Sequence, residues 1–134
     1  ESHLFDTGNL SEADRLYQAQ KRAIGQIARK SSCVIIGRCA DYILRDLPGC
    51  VRIFVCSDLT HRRQRVQQEY GIAPEKADAV MKLKDSERAF HHKRYTGQTW
   101  GSPCNYHIVL NSALLGIDRC AELVVEGVKN VERK

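Results

Sequence analysis

Residues 32–37 read SCVIIG, a short β-branched run that ends in glycine, and this run decides the predicted fold. The same pattern returns in VRIFVC at residues 51–56 and in YHIVLN at residues 106–111. Continuous apolar runs of this length, bounded by turn residues, are typical of strands that are buried on both faces of a sheet. The sequence therefore predicts three strands, at residues 32–37, 51–56 and 106–111.

Helical segments separate these strands. Ser11 is a candidate N-cap for a helix over residues 12–29, whose apolar residues recur at three- and four-residue spacing. Pro74 fits the first turn of a helix that we expect to reach about Arg94. The other predicted helices cover residues 40–46, residues 117–131, and a segment that starts at Ser57 or Asp58 and runs to Tyr70, just before Gly71.

Strands that alternate with helices indicate an α/β protein. The expected architecture is a three-layer α/β/α arrangement with a parallel sheet and right-handed crossovers. No repeat or linker divides the 134 residues, so we predict a single domain. Ligands of such sheets bind at the carboxyl ends of the strands. This rule selects Gly37-Arg38, Ser57-Asp58 and Asn111-Ser112 as neighbours of any pocket.

The composition, 43% hydrophobic and 28% charged residues, is that of an ordinary globular domain. It excludes wholesale disorder, collagen and coiled coil. No apolar run approaches the ~20 residues that a membrane span requires. The first residues also lack the basic flank and apolar core of a secretory signal. We therefore expect a cytoplasmic protein with no membrane partner.

The excess of 21 Lys and Arg over 16 Asp and Glu gives a net charge of +5, which favours an anionic partner. Aromatic residues make up only 7% of the chain and do not interleave with basic residues, so nucleic acid is not the expected partner. Six cysteines occur without a CxxC pair, which argues against a zinc site and, without a secretory context, against a disulfide framework. Cys33 and Cys56 lie in apolar runs and are expected to act as small hydrophobic residues.

Arg38 is the first candidate for chemistry, because it follows Gly37 directly after a predicted strand. Glycine allows the backbone to approach a ligand closely, and a guanidinium can bind a phosphate with two hydrogen bonds. The alternative is an arginine that pairs with Asp41 or Asp46. Both readings stay open on position alone.

Arg62 and Arg65 are the second candidates, since a spacing of three puts them on one helix face. Two cations on one face repel each other unless an anion lies between them. The alternative is an exposed face on which Glu69, four residues beyond Arg65, provides a partner.

The charged segment 82–95 is the third candidate. Lys84, Arg88 and His91 or His92 can share a helix face there. Charge-rich helices are usually just exposed, but this one leads into a loop with the only Trp, and such loops often carry function. His91 and His92 are adjacent and point to different faces, so a metal pair is not expected. The sequence contains no GxSxG, HExxH, GxGxxG, EF-hand or GxxxxGK[ST] motif.

Three segments together resemble the cytidylate kinase-like family: residues 34–44 (VIIGRCADYIL), residues 96–101 (TGQTWG), and residues 105–112, which begin with NY and end with NS. The similarity runs from about Leu16 to the C-terminal helix. It implies a nucleoside monophosphate kinase of the P-loop NTPase type, with ATP as phosphoryl donor, a CMP- or dCMP-type acceptor and Mg²⁺ as cofactor.

The resemblance also implies roles for individual residues. Gly37 and Arg38 would hold the nucleoside monophosphate. Arg62 and Arg65 would lie where the lid opens over the triphosphate, and Arg88 would clamp the transferring phosphoryl group with them. Lys84 and Arg94 would add positive charge to the lid, and Asn111-Ser112 would end the last strand. The implied regions are an acceptor-side helical region at 1–31, a lid-like region at 58–104, and the last strand with its helix at 105–134.

The chain also departs from the family's pattern. Authentic cytidylate kinases have Asp-Gly-Arg-Asp where this chain has Ile36-Gly37-Arg38-Cys39. Asp41 is the carboxylate that can take the place of the missing ones. The family's N-terminal strand, Gly-rich loop and helix have no counterpart here, which predicts a truncated chain.

The sequence therefore predicts a nucleoside monophosphate kinase-like phosphotransferase. Two alternatives stay open: a non-catalytic domain that binds nucleotide or nucleic acid on a kinase fold, and a kinase for another small acceptor.

Overall fold

The structure, a computed structural model, describes residues 10–132, and the chain divides after Leu44 into two compact units. In the first unit, the described residues form α1 (Glu12–Lys30) and α2 (Ala40–Ile43). In the second unit, they form β1 (Ile53–Cys56), α3 (Leu59–Tyr70), α4 (Pro74–Thr96), a 3₁₀ turn (Pro103–Asn105), β2 (Ile108–Asn111), α5 (Ser112–Leu115) and α6 (Ile117–Glu132).

Helix α1 begins where its sequence predicts. The Ser11 hydroxyl accepts a hydrogen bond of 3.2 Å from the Asp14 N–H, which confirms the N-cap. Tyr17 and Ile24 are buried. Leu16 and Ile27 also belong to the apolar residues that recur at helical spacing, but they are exposed. Helix α2 is three residues shorter than predicted and ends at Ile43.

The predicted buried strand at residues 32–37 is wrong. Residues 32–36 carry no strand assignment, and Val34 and Ile36 are 91% and 89% exposed. A strand is defined by a neighbour that pairs with its N–H and C=O groups. The described part of the first unit offers only α1 and α2 beside this run, so it has no strand to pair with there.

The sheet in the described residues accordingly has two strands instead of three. Strands β1 and β2 pair in parallel, from Ile53 opposite Ile108 to Cys56 opposite Asn111. Each strand begins two residues later than predicted. The backbone of Arg52 pairs with His107 before the ladder starts: Arg52 donates to His107 Nδ1 at 3.0 Å and accepts from the His107 N–H at 2.8 Å.

Helices α3 and α4 follow their local signals closely. Of the two candidate caps, Asp58 is the one that caps α3: its carboxylate accepts from the His61 N–H at 2.9 Å. Gly71, with a φ of +63°, ends that helix. Helix α4 starts with Pro74 and extends two residues past Arg94, to Thr96.

The last helix packs on the sheet through a glycine. A Cβ on Gly127 would lie 2.6 Å from Cδ1 of Ile108, so α6 approaches β2 more closely than a larger residue allows. Cys120 and Leu110 are buried, whereas Ile117 and Ala121 of α6 are exposed.

Candidate functional site

A cleft of about 330 Å³ opens at the carboxyl end of β1. Its position agrees with the rule for parallel sheets, because both strands end there and the chain turns directly into helices. The lining residues come from the end of β1, from the first two turns of α3 and from the start of α5: Phe54, Val55, Cys56, Ser57, His61, Arg62, Arg65 and Ser112.

The local sequence explains why α3 presents cations to this cleft. Asp58 caps the helix with its side chain and accepts from the Arg62 N–H at its carbonyl, at 3.1 Å. The helix therefore starts directly at the end of β1. Arg62 and Arg65, three residues apart, both line the cleft. The positive end of the helix dipole adds to their charge, so this cleft favours an anion.

Ser112 ties the other side of the cleft to the sheet. Its hydroxyl donates to the Cys56 carbonyl at 3.3 Å, and Asn111 caps α5 by accepting from the N–H groups of Ala113 and Leu114. The Ser57 hydroxyl is buried and makes no hydrogen bond in the structure. The cleft lining therefore combines hydroxyl and guanidinium groups with His61 and with the β1 residues Phe54, Val55 and Cys56, and it includes no carboxylate.

Arg62 and Arg88 meet at one carboxylate. Nη2 of Arg62 lies 2.7 Å from Oδ2 of Asp85, and Nη1 of Arg88 donates to Oδ1 of Asp85 at 3.2 Å. Arg62 is on α3, whereas Asp85 and Arg88 are one turn apart on α4. The carboxylate partner of Arg62 therefore comes from the helix that follows, and Arg62 shares it with Arg88 rather than with Arg65.

The other candidate cations on these helices also have partners. Arg65 donates from Nε to Glu69 at 3.0 Å while it lines the cleft, so the alternative partner noted for this residue is present. Lys84 pairs with Glu87 at 2.9 Å on the exposed face of α4. Arg94 lies six residues beyond Arg88, about 9 Å further along the helix, and its guanidinium carbon is 5.5 Å from the ring centre of Tyr95.

The two adjacent histidines serve different purposes. The His91 ring packs against Tyr95, with ring centres 4.9 Å apart. His92 is buried at the end of α4, where its Nδ1 lies 3.2 Å from the Thr96 hydroxyl and 3.4 Å from the Gln98 carbonyl. His92 thus anchors the loop that follows α4. No group of three His, Cys, Asp or Glu side chains within residues 10–132 could hold a metal ion.

The loop with the only Trp packs against β1. Phe54 contacts Trp100 edge-on at 5.5 Å and Tyr106 at 5.0 Å between ring centres. Gly101 has a φ of +75°, and a Cβ there would lie 2.9 Å from Cζ of Phe54. Because Phe54 also lines the cleft, this loop supports one wall of it.

The candidate acceptor residues lie in the first unit, in a turn with unusual backbone geometry. Gly37, Arg38 and Cys39 all have positive φ, at +72°, +56° and +58°, and the Ala40 N–H donates to the Gly37 carbonyl at 3.1 Å. Non-glycine residues rarely adopt this conformation, and such strain tends to collect at functional sites. The Arg38 side chain is exposed. Asp46, one of the carboxylates considered for it, pairs with its neighbour Arg45 at 3.4 Å.

Cys39 is the buried residue of this turn. Burial and the nearby charge of Asp41 raise the pKa of the Cys39 thiol to about 11, so it carries no charge near neutral pH. All six cysteines are present as thiols rather than in disulfides. The expectation that Cys33 and Cys56 act as small core residues is wrong, because both are exposed: Cys33 precedes the unpaired run at 34–36, and Cys56 ends β1 at the cleft.

Sequence reasoning missed two residues of this region. Asp85 lies within the charged segment 82–95, and its spacing of three from Arg88 is the only local signal of its role. His61 lines the cleft beside Arg62, and nothing in the sequence distinguishes it from an exposed helix residue. The separation along the chain between α3 and Asp85 explains the first omission.

Comparisons with known proteins agree with the resemblance in the sequence. A family model of the cytidylate kinase-like family matches residues 2–114. The chain is similar to a solved structure of an uncharacterized protein from Eubacterium ventriosum ATCC 27560, with 26% sequence identity and a TM-score of 0.84. The match covers 90% of this chain and 69% of that one. A comparison with curated proteins found no match.

Within residues 10–132, every helix is too short or too polar to cross a bilayer. The described residues are mostly helical and include a small parallel sheet in the second unit, with an arginine-lined cleft at the end of that sheet. The family match extends over most of the chain. This chain belongs to the cytidylate kinase-like family.

Proposed function

We propose that the protein is an ATP-dependent nucleoside monophosphate kinase that transfers the γ-phosphoryl group of ATP to a cytidylate-type acceptor, CMP or dCMP. The observation that carries the proposal is the cleft at the end of β1, where Arg62 and Arg65 lie at the start of α3. Membership of the cytidylate kinase-like family supports kinase chemistry. The proposal includes a P-loop NTPase-type α/β/α core around the sheet, with residues 105–134 as its last strand and helix.

The cations of the second unit suit phosphoryl transfer. In that reaction negative charge is spread over the equatorial oxygens of the transferring group, and the enzyme positions and neutralises it. Arg62 and Arg65 line the cleft, and Arg88 is joined to Arg62 through Asp85. In the proposed mechanism these three guanidinium groups clamp the transferring phosphoryl group. Lys84 and Arg94, both exposed on α4, raise the positive potential of the lid formed by residues 58–104.

The acceptor side of the mechanism uses the turn at Gly37 and Arg38. The absence of a side chain at Gly37 lets a ligand approach the backbone, and the exposed Arg38 guanidinium can bind the acceptor monophosphate with two hydrogen bonds. Asp41 is the proposed contact to the nucleoside. The positive φ of Arg38 supports a role in binding. Glycine would adopt this conformation at lower energetic cost, so a turn alone would not require an arginine at this position.

Kinases of this kind are expected to use Mg²⁺ with ATP. The cleft residues do not fit a magnesium ion held by the protein, because Mg²⁺ prefers carboxylate oxygens and the lining contains none. In the proposal Mg²⁺ arrives with the donor phosphates, and the described residues bind those phosphates rather than the metal.

One observation favours a second candidate, in which the same chemistry serves another small acceptor. Cys39 stands where the resemblance would place a carboxylate, and its raised pKa keeps it neutral. A neutral thiol cannot make the charged contact that an aspartate makes to a base or to a magnesium-bound water. A neutral thiol at this position is also compatible with a non-catalytic nucleotide-binding domain.

A coupled ATP-consumption assay of the full-length protein with a panel of nucleoside monophosphates separates these candidates. The proposal predicts the highest kcat/KM with CMP or dCMP. Turnover with a different acceptor would support the second candidate. Mononucleotide-dependent stabilisation without turnover would contradict the proposed reaction and indicate a binding domain.

A further inference from the structure

Asp85 lies between two arginines that the proposed function assigns to phosphoryl transfer, and its geometry indicates what it does there. We propose that Asp85 is a positioning residue that fixes the guanidinium groups of Arg62 and Arg88 relative to each other. This inference rests on the proposed function and adds a residue to its machinery.

The contacts of Asp85 differ from those of an ordinary ion pair on the same helices. Its two oxygens are divided between two arginines, 2.7 Å from Arg62 and 3.2 Å from Arg88. Asp78 joins the same two helices, but both of its oxygens bind one arginine, Arg63, through Nε and Nη2. Asp78 therefore binds a single arginine, whereas Asp85 sets the distance between two cations.

Both arginines approach Asp85 through a terminal nitrogen, Nη2 of Arg62 and Nη1 of Arg88. A guanidinium has five N–H donors, so these contacts leave donors for a further anion. Two arginines and one aspartate carry a net charge of +1. The group can therefore still attract phosphate oxygens, although a carboxylate already lies within it.

Burial strengthens the argument. The Asp85 side chain is 28% exposed and that of Arg62 is 30% exposed, whereas Asp78 is 66% exposed. A partly buried ion pair is screened less by salt than an exposed one. The Arg62–Asp85 contact is therefore screened less by salt than the Arg63–Asp78 pair, whereas Arg88, at 57% exposure, is the more solvated partner of Asp85.

The test compares Asp85→Asn with Asp78→Asn in the full-length protein. Asn keeps the size of Asp but removes the charge, and both variants remove a link between α3 and α4. If Asp85 positions the two guanidinium groups, Asp85→Asn lowers kcat by up to about 100-fold, the size of loss that a misplacement of about 1 Å can cause. We expect KM for ATP to change far less. Asp78→Asn should keep the wild-type kcat, and Asp85→Glu should recover part of the lost kcat because it restores the carboxylate.

A second measurement is independent of turnover. NMR relaxation of the arginine Nε–Hε groups should show Arg62 and Arg88 becoming mobile together in Asp85→Asn, while Arg63 stays ordered. Wild-type kcat in Asp85→Asn, a lower KM without loss of kcat, or unchanged arginine mobility would each overturn the inference. A wild-type protein without phosphotransfer would instead contradict the proposed function, and the relaxation data would still decide whether Asp85 holds the two arginines.

Discussion

Arg63 binds Asp78 with two hydrogen bonds, of 2.7 Å from Nε and 2.9 Å from Nη2, and this pair joins α3 to α4. The Arg63 side chain is partly exposed and that of Asp78 is largely exposed. The pair keeps the two helices side by side without contributing a group to the cleft. It therefore provides a reference against which the neighbouring Arg62 and Asp85 can be tested.

The pair predicts a specific loss of stability in acid. The hydrogen bonds from Arg63 hold the pKa of Asp78 below its ordinary value of 3.8. A lowered carboxyl pKa stabilises the folded state above pH 3.8, and this stabilisation is lost as the pH falls through the folded-state pKa. Asp78→Asn should therefore melt slightly below wild type at neutral pH, and the two melting temperatures should converge in acid. A difference that persists below the folded-state pKa would contradict this role.

The backbone conformation at Arg38 predicts that replacing this residue weakens acceptor binding without destabilising the fold. A left-handed conformation costs an L-residue roughly 1–2 kcal/mol, and Asn tolerates it better than Arg. Arg38→Asn should therefore keep or raise the melting temperature while the KM for the acceptor rises by about tenfold or more, the value of a lost charged hydrogen bond. Arg45→Asn, at an exposed arginine paired with Asp46, is the control. A lower melting temperature with an unchanged KM would make Arg38 a structural residue.

Alanine substitutions at Gly101 and Gly97 distinguish the cost of a steric clash from the cost of a positive φ. Both have positive φ, at +75° and +72°, so alanine at either position should cost roughly 1–2 kcal/mol of unfolding free energy. Gly101→Ala should cost more, because its Cβ would lie 2.9 Å from Phe54, whereas a Cβ at Gly97 has open space. Urea denaturation followed by Trp100 fluorescence measures both. Equal losses would show that the contact with Phe54 is unimportant.

Cys39 predicts two pH effects. Since the thiolate is the reactive form, its pKa of about 11 should make Cys39 much slower to alkylate at neutral pH than the exposed Cys104. An unfolded cysteine loses its proton near pH 9.0, before the folded one does, so stability should fall between pH 9 and pH 11. Cys39→Ala should remove this component of the pH dependence. Alkylation of Cys39 as fast as that of Cys104 would contradict the assignment.

Local signals in the sequence predicted the boundaries of α1, α3 and α4 well. Ser11, Asp58 and Gly71 act on atoms within five residues of themselves, so their side chains or backbone conformations determine where α1 and α3 begin or end. The same is true of Pro74 at the start of α4. The position of the cleft was also predictable, since Ser57 and Ser112 follow directly from the rule for parallel strands.

Features that depend on distant residues were not predictable. The run at 32–37 has the composition of a buried strand, but pairing requires a neighbour that composition does not provide. The same limit applies to Asp85, whose partner Arg62 is 23 residues away on another helix. Local spacing identified Arg62 and Arg88 as candidates, and only the packing of α3 on α4 shows that one carboxylate joins them.

The central claim is that the cleft at the end of β1 binds the transferring phosphates through Arg62 and Arg65. The most direct measurement is kcat for Arg62→Ala and Arg65→Ala, compared with Arg63→Ala, in the coupled kinase assay. Loss of a preorganised donor to the transition state costs about 10²–10³-fold in kcat. We predict losses of that size for Arg62→Ala and Arg65→Ala, and near wild-type turnover for Arg63→Ala, whose side chain pairs with Asp78 outside the cleft. Equal turnover in all three variants would contradict the account.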